Sequence, residues 1–163
     1  MELQLSHKAV AEVRRGTFGS YVAVGKRQGE NKCWVFISSQ AWQNLTQTIP
    51  KVTELLTQDL DKEEEIVLTK RVKLTVVCFK GKYYIGLHST DLSGNRVKGL
   101  NLDMDEWTGL VTNVYGIEQN MKTNRKRTAA EQEEAEVKKV KTGEKQQTEK
   151  NNKTISVAEC KPI

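Results

Sequence analysis

Aromatic and basic side chains alternate around two short turns of this chain. Residues 79–84 read Phe-Lys-Gly-Lys-Tyr-Tyr, and an earlier turn has Phe18 between Gly16 and Gly19, with Tyr21 two residues after Gly19. Lysine and arginine neutralise phosphates and release their counterions, while exposed rings stack on unpaired bases. These residue types in this pattern indicate a surface that suits single-stranded nucleic acid.

The candidate contacts are basic and aromatic residues on predicted strands and turns. They are Arg14, Arg15, Phe18, Tyr21, Lys26, Lys70, Lys73, Phe79, Lys80, Lys82, Tyr84, Arg96 and Lys98. An ordinary solvated face is the alternative for the lysines. Because adjacent strand residues point to opposite faces, one of Tyr83 and Tyr84 is expected to point inward. For Trp34, a core or interface position is preferred over base stacking.

The positive charge is unevenly divided along the chain. Residues 1–121 contain 15 Lys and Arg against 14 Asp and Glu, and residues 122–163 contain 11 against 7, which gives +1 and +4 of the net +5. Acidic residues crowd positions 59–65, whereas the basic ones lie on strands and turns. A basic sheet edge beside an acidic linker is therefore compatible with near-neutrality.

An internal repeat predicts the elements that position these residues. Residues 34–45 and 99–110 each read as an apolar strand, a capping residue (Ser38 or Asp103), a tryptophan (Trp42 or Trp107) and a leucine. The leucines and later apolar residues fall on one helical face, so both tryptophans are predicted in the core. Alternating apolar residues predict strands at 2–6, 8–15, 20–27, 32–38, 66–69, 72–79, 82–88 and 97–102.

The predicted fold is α+β, with two tandem ββββα units in which an antiparallel sheet is followed by a helix. The units are residues 1–60, which are divergent, and residues 61–121, and together they form a pseudo-dimer. Each unit of about 60 residues would be marginal alone and is expected to share a core. Pro50 is predicted to kink or break the first helix. Residues 122–163 lack aromatic residues and are predicted to be disordered.

The second unit resembles a known family through residues 72–87, Lys98-Gly-Leu-Asn-Leu102 and Glu106-Trp107-Thr-Gly-Leu110. The resemblance, over residues 66–120, is to the transcriptional coactivator positive cofactor four. It implies a dimerising ββββα domain with a kinked helix, which binds single-stranded DNA sequence-independently in the nucleus along basic and aromatic β-ridges. A fused pair is also similar to the tandem units of Whirly proteins, which implies either an intramolecular pseudo-dimer or a homo-oligomer.

Carried over by position, the resemblance favours Lys70, Phe79, Lys80, Lys82 and Lys98 as DNA contacts. The chain departs from the family pattern at His88, where the family has arginine, and at Asp91, where it has tryptophan. Both departures imply weaker binding. The first unit matches only through its strand order and residues 18–21 and 37–42, and it lacks the Lys-Gly-Lys turn.

Basic clusters in the C-terminal segment have the spacing of a bipartite nuclear-localisation signal. The clusters consist of Lys126, Arg127, Lys138, Lys139 and Lys141. Glutamates fill the spacer, which favours recognition by a nuclear import receptor over phosphate binding; a solvated charged tail is the alternative. We therefore expect a nuclear location. The three cysteines are well separated and are expected to be reduced, and the absence of a long apolar run predicts no membrane span.

The sequence favours a non-enzymatic binding protein that needs no metal or cofactor, because it contains no phosphate loop, paired-cysteine site or acid-base motif. The leading expectation is a nuclear single-stranded DNA-binding protein, with transcription or replication proteins as further partners. It would act in transcription, as a coactivator, or in replication and repair. The alternatives are an assembly scaffold with the same fold, and an RNA-binding protein, since stacking and phosphate contacts do not distinguish the sugars.

Overall fold

The computed structural model describes residues 1–123. They form an α+β fold that contains two antiparallel four-stranded sheets and helices. The predicted tail over residues 122–163 therefore lies almost entirely outside the described residues, and so does the predicted nuclear-localisation signal. No helix within residues 1–123 has the length and apolar character needed to cross a membrane.

The first sheet is a meander in which each strand pairs with the next. Its strands are β1 (Glu2–Gln4), β2 (Ala9–Gly16), β3 (Gly19–Gln28) and β4 (Asn31–Ser38). Helix α1 (Ser39–Leu55) follows, and the Ser38 hydroxyl accepts a hydrogen bond from the Ala41 N–H at 3.2 Å, as the predicted N-cap requires. The helix continues through Pro50, so the predicted break does not occur there.

The second sheet repeats this order. It contains β5 (Glu64–Thr69), β6 (Val72–Phe79), β7 (Lys82–Thr90) and β8 (Arg96–Leu102), and α2 (Met104–Thr112) follows, with residues 114–123 also helical. Asp103 caps α2 in a reciprocal capping box with Glu106, which confirms the predicted cap. The predicted strands agree with the observed ones except for a few terminal residues.

One buried core contains apolar residues from both sheets and both helical segments. Trp42 and Trp107 are 1% and 3% exposed, which confirms their predicted core positions. The equivalent helix residues that follow them are also fully buried, namely Leu45, Val52, Leu110 and Ile117. The repeat in the sequence is thus a repeat of core positions, because the apolar stripe of each helix faces the sheets.

The two halves pack on each other. Helix α1 contacts β3 and β4 of its own half and also β5 and β6 of the other half. Its Asn44 side chain donates to the Leu68 carbonyl at 2.6 Å, and the edge strands β4 and β8 lie close together. Gly109 of α2 passes so near Leu5 that an added Cβ would lie 2.9 Å from the Leu5 carbonyl oxygen. Residues 1–123 therefore share one interior.

Candidate nucleic-acid interface

Each sheet has one face toward the core and one face turned away from it. In β4, Val35 and Ile37 are buried, whereas Trp34 is half-buried and Phe36 is 50% exposed. This alternation follows from the two-residue period of a strand. Cross-strand pairing places further residues on the same outward side. We call this set the first outer face: Arg14, Tyr21, Arg27, Lys32, Trp34 and Phe36.

Trp34 lies across the backbone of the neighbouring strand. Its cross-strand partner is Gly25, and a Cβ at Gly25 would lie only 2.6 Å from Trp34 Cε3. Two cations flank the ring, since the Arg14 guanidinium carbon is 4.6 Å and Lys32 Nζ is 4.3 Å from the ring centroid. The absence of a side chain at Gly25 thus makes room for the Trp34 ring, and two cations lie against that ring.

Two further rings extend the first outer face toward the β2–β3 hairpin. Tyr21 and Phe36 meet edge to face, with centroids 5.7 Å apart and an interplanar angle of 81°. Arg14, directly across from Tyr21, also forms a 2.6 Å ion pair with Glu12. The hydrogen bond from Arg14 holds the pKa of Glu12 below its ordinary value. The charge of Arg14 is therefore partly balanced within the sheet.

The second sheet presents rings and lysines at the β6–β7 hairpin. We call Phe79, Lys80, Lys82 and Tyr84 the hairpin patch. Lys80 and Gly81 have φ values of 50° and 73°, as a two-residue type I′ turn requires. Phe79 is 59% exposed, its cross-strand partner is Lys82, and Lys80 Nζ lies 5.2 Å from its ring centroid. Within residues 1–123, neither lysine of this turn forms an ion pair with a carboxylate.

Farther from the hairpin, carboxylates compensate the cations of the second sheet. Lys73 Nζ lies 2.8 Å from Glu65, and Arg96 pairs with Glu63 and, at 3.4 Å, with Glu65. The hydrogen bond from Lys73 lowers the pKa of Glu65, and the hydrogen bond that Arg96 donates to Glu63 raises the pKa of Arg96. We call these four residues the ion-paired patch. Lys73 and Arg96, both predicted contacts, are thus engaged within the fold.

His88 occupies the middle of the outward side of the second sheet. Its partner across the strands is Gly99, where a Cβ would lie 2.1 Å from His88 Nδ1. Its Nε2 lies 3.1 Å from the hydroxyl of Thr75, which is 1% exposed. Burial, and next the positive charge of Arg96, lower the pKa of His88, which favours the neutral ring near neutral pH.

Lys26 was predicted as a DNA contact, but the structure places it in an internal ion pair. Its Nζ lies 2.6 Å from Glu106 Oε2 and donates to the Asn101 carbonyl at 2.7 Å. Glu106 is 1% exposed, accepts from the Ser6 hydroxyl at 3.2 Å and also caps α2. The Lys26 ammonium is therefore not a free cation, because the other half of the molecule supplies its counter-charge.

The remaining predicted contacts are dispersed. Phe18 is fully exposed at the tip of the β2–β3 hairpin, and Lys70 is exposed in the β5–β6 turn. Arg15 pairs with Ser20, and Lys98 pairs with Ser89, so both lie on the strand faces opposite Arg14 and the hairpin patch. The structure thus brings Arg14 together with Tyr21, and Phe79 with Lys80, Lys82 and Tyr84.

Sequence reasoning did not include Lys32, Trp34 or Phe36 among the contacts. The signal was present, because Trp34 and Phe36 alternate with the buried Val35 and Ile37 in β4. Only the strand pairing shows that Gly25 lies beneath Trp34 and that Arg14 reaches it. The predicted nuclear-localisation residues, Lys126 to Lys141, lie beyond residue 123. Comparison of the sequence with protein-family models and with curated proteins finds no match.

Proposed function

We propose that this protein binds single-stranded DNA along the outward sides of its two sheets. The observation that carries the proposal is the pairing of solvent-facing rings with cations at two places, Trp34 with Arg14 and Lys32, and Phe79 with Lys80. Unpaired bases offer π-faces of every sequence, and the phosphates between them are negative. The rings can stack on the bases of a single strand, and the cations can bind the phosphates between them.

Each residue type has a separate role in this proposal. Lys80 and Lys82 neutralise phosphates next to the hairpin, where no carboxylate of residues 1–123 pairs with them. Phe79, Tyr84 and Trp34 stack on bases at about 1–3 kcal/mol each. Since neither contact depends on base identity, most of the binding is sequence-independent.

The proposed arrangement is an intramolecular pseudo-dimer, in which the two halves reproduce the homodimer implied by the resemblance to positive cofactor four. The shared core and the contacts between α1 and the second sheet support it. With the basic clusters at 126–141 as a nuclear-localisation signal read by an import receptor, the protein would act in the nucleus. Its role there would be in transcription or in replication and repair, beside other proteins of those processes.

The decisive test measures binding of the full chain to a fluorescent single strand of about 20 nucleotides across a salt series. The test variant is Lys80→Ala/Lys82→Ala, and the matched control is Lys51→Ala/Lys62→Ala, in which two other exposed lysines are removed. We expect the test variant alone to weaken binding and to reduce the slope of log affinity against log salt by about 1.4, since each phosphate contact adds about 0.7.

Other results would point elsewhere. Absence of binding at low salt would overturn the proposal, and equal effects of the two double variants would place the strand away from the hairpin patch. A duplex of matched sequence should compete poorly. Stacking and phosphate contacts do not distinguish the sugars, so a matched RNA strand that competes better than DNA would favour an RNA-binding function instead.

A second function, as an assembly scaffold, is favoured by the ion-paired patch. There Lys73 and Arg96 are compensated by carboxylates, and the neighbouring Val67 and Val97 are each 62% exposed. Neutral, partly apolar surface suits a protein partner better than phosphate. Size-exclusion chromatography with light scattering, with and without a Val67→Glu/Val97→Glu variant, tests whether copies of this chain associate through it.

A further inference from the structure

A groove of about 420 Å³ lies between the end of β3 and the outward side of the second sheet. Its lining consists of Lys26, Gln28, Val77, Phe79, Tyr84 and Asn101. The volume is within the range of roughly 300–1,000 Å³ that is usual for small-ligand sites. The groove is built by both halves of the chain, and it adjoins the hairpin patch.

The lining combines flat rings with carboxamides. Phe79 and Tyr84 lie on the same side of the hairpin, because Tyr84 pairs with Val77 and Phe79 with Lys82. Gln28 and Asn101 contribute amide groups, each of which contains both hydrogen-bond donors and an acceptor. A nucleobase has the complementary form, with two π-faces and an edge of donors and acceptors.

Asn101 is held in a defined place within the groove. Its backbone carbonyl accepts from Lys26 Nζ at 2.7 Å, and Lys26 is fixed in turn by Glu106. Gly86, its cross-strand partner, marks a point where three polar atoms converge. A Cβ there would lie 3.0 Å from Asn101 Oδ1, 2.3 Å from Thr75 Oγ1 and 2.4 Å from His88 Nε2.

The amide N–H groups of Asn101 are free to bond a ligand. Within residues 1–123 they donate no hydrogen bond, and the residue is exposed. Phosphates on either side of a base in the groove would come next to Lys80 and Lys82, which belong to the same hairpin as Phe79. The groove thus offers rings for stacking and amides for an edge contact, and the hairpin beside it carries two lysines.

We propose that this groove accepts a single unpaired nucleobase of the bound strand and reads its edge through Asn101 and Gln28. The inference rests on the proposed single-stranded DNA binding and adds to it a dependence on base identity at one position. Stacking on Phe79 and Tyr84 tolerates every base, whereas a carboxamide bonds only an edge with a matching donor and acceptor.

The test compares binding of the full chain to homopolymers of thymidine, deoxyadenosine and deoxycytidine, each of about 20 nucleotides. The variants are Asn101→Ala and Gln28→Ala/Asn101→Ala, and the control is Val97→Ala, which shortens another exposed side chain of β8. We expect affinities that differ by about fivefold among homopolymers, as one hydrogen bond allows. The control should keep these differences, and the double variant should reduce them to within about twofold.

The outcomes separate this inference from the proposed function. If all three homopolymers bind the wild-type chain equally, or if their order survives in the double variant, base reading by the groove is overturned. Lys80→Ala/Lys82→Ala should then still weaken every homopolymer to the same degree, which would leave single-stranded DNA binding intact. If no homopolymer binds even at low salt, both proposals fail together.

Discussion

The outward sides of the two sheets use their cations differently. On the first outer face, Arg14 and Lys32 lie within 5 Å of the Trp34 ring, and Arg14 also pairs with Glu12. In the ion-paired patch of the second sheet, Lys73 and Arg96 are bonded to carboxylates, and within residues 1–123 neither lies over a Phe, Tyr or Trp ring. A repeated backbone has therefore produced two surfaces of different chemistry. Position in the repeat fixes which side of the sheet a residue occupies, and its neighbours decide whether its charge remains accessible.

The two sheets also share a structural device in reciprocal form. In the first, the Trp34 ring of β4 lies across Gly25 of β3, and in the second, the His88 ring of β7 lies across Gly99 of β8. The third and fourth strands of each half thus pair a ring with a glycine. The ring is on the fourth strand in the first half and on the third strand in the second half. What the sheet requires is one ring beside one residue without a side chain, because two side chains would collide.

The largest effect is expected from the ion pair that joins the two halves. Lys26→Met should lower the free energy of unfolding by about 3–5 kcal/mol, because it leaves the buried Glu106 carboxylate without its counter-charge. Urea denaturation of the variant and of the exposed control Lys51→Met measures this. A loss equal to that of the control would mean that this ion pair does not stabilise the contact between the two halves.

The glycine positions should respond in parallel. Gly25→Ala and Gly99→Ala should each cost about 1–3 kcal/mol of stability, since the added Cβ collides with the Trp34 or His88 ring. Removing the ring should relieve the collision, so Gly25→Ala should cost less in a Trp34→Ala background. Thermal or urea denaturation of the single and double variants measures this. Additive losses would contradict a collision between the added Cβ and the ring.

Trp34 should contribute to the binding of single-stranded DNA by the first outer face. Trp34→Ala is expected to weaken binding by about 1–2 kcal/mol, and Trp34→Phe by less, because a ring remains for stacking. Trp42 and Trp107 are buried, so DNA-dependent quenching of tryptophan fluorescence should arise from Trp34 and disappear in Trp34→Phe. Unchanged affinity and unchanged quenching would confine the strand to the second sheet.

The smallest effect concerns pH and the second sheet. Burial and Arg96 lower the pKa of His88 below its ordinary value of 6.5, whereas Glu63 and Glu65 oppose this shift and Lys73 lies across the strand. Between the folded and unfolded pKa values the unfolded chain binds more protons. The contribution of His88 to the free energy of unfolding is therefore fully present above its ordinary pKa. It is lost as the pH falls through the lower pKa that His88 has in the folded chain.

The measurement is the stability of wild type and His88→Gln from about pH 7.5 to about pH 5. The variant should lose less stability over this interval than the wild-type chain. Parallel curves would show that His88 does not contribute to the acid sensitivity of the second sheet. Below this range, Glu12 and Glu65 become protonated and lose the interactions that lower their pKa values in the folded chain. This loss should destabilise both proteins alike.

Local patterns in the sequence predicted much of this fold. Alternation located the eight strands, and the helical stripe placed Trp42 and Trp107 in the core. Ser38 and Asp103 were predictable as caps because a cap acts on backbone groups within three residues. Pro50 shows the limit of local reasoning, since α1 runs past it and packs against both sheets, so the predicted break does not occur and the predicted kink stays a prediction.

The candidate site was less predictable, because its charges depend on distant residues. The counter-charge of Lys26 lies 80 residues later in the chain, and that of Arg96 lies 33 residues earlier. The sequence by itself determined the residue types, the strand periods and the hairpin with Lys80 and Lys82, all of which arise from neighbouring positions. Only the tertiary structure decided which cations are paired, that Arg14 reaches the Trp34 ring, and that a groove forms beside Phe79, because each requires two distant segments to meet.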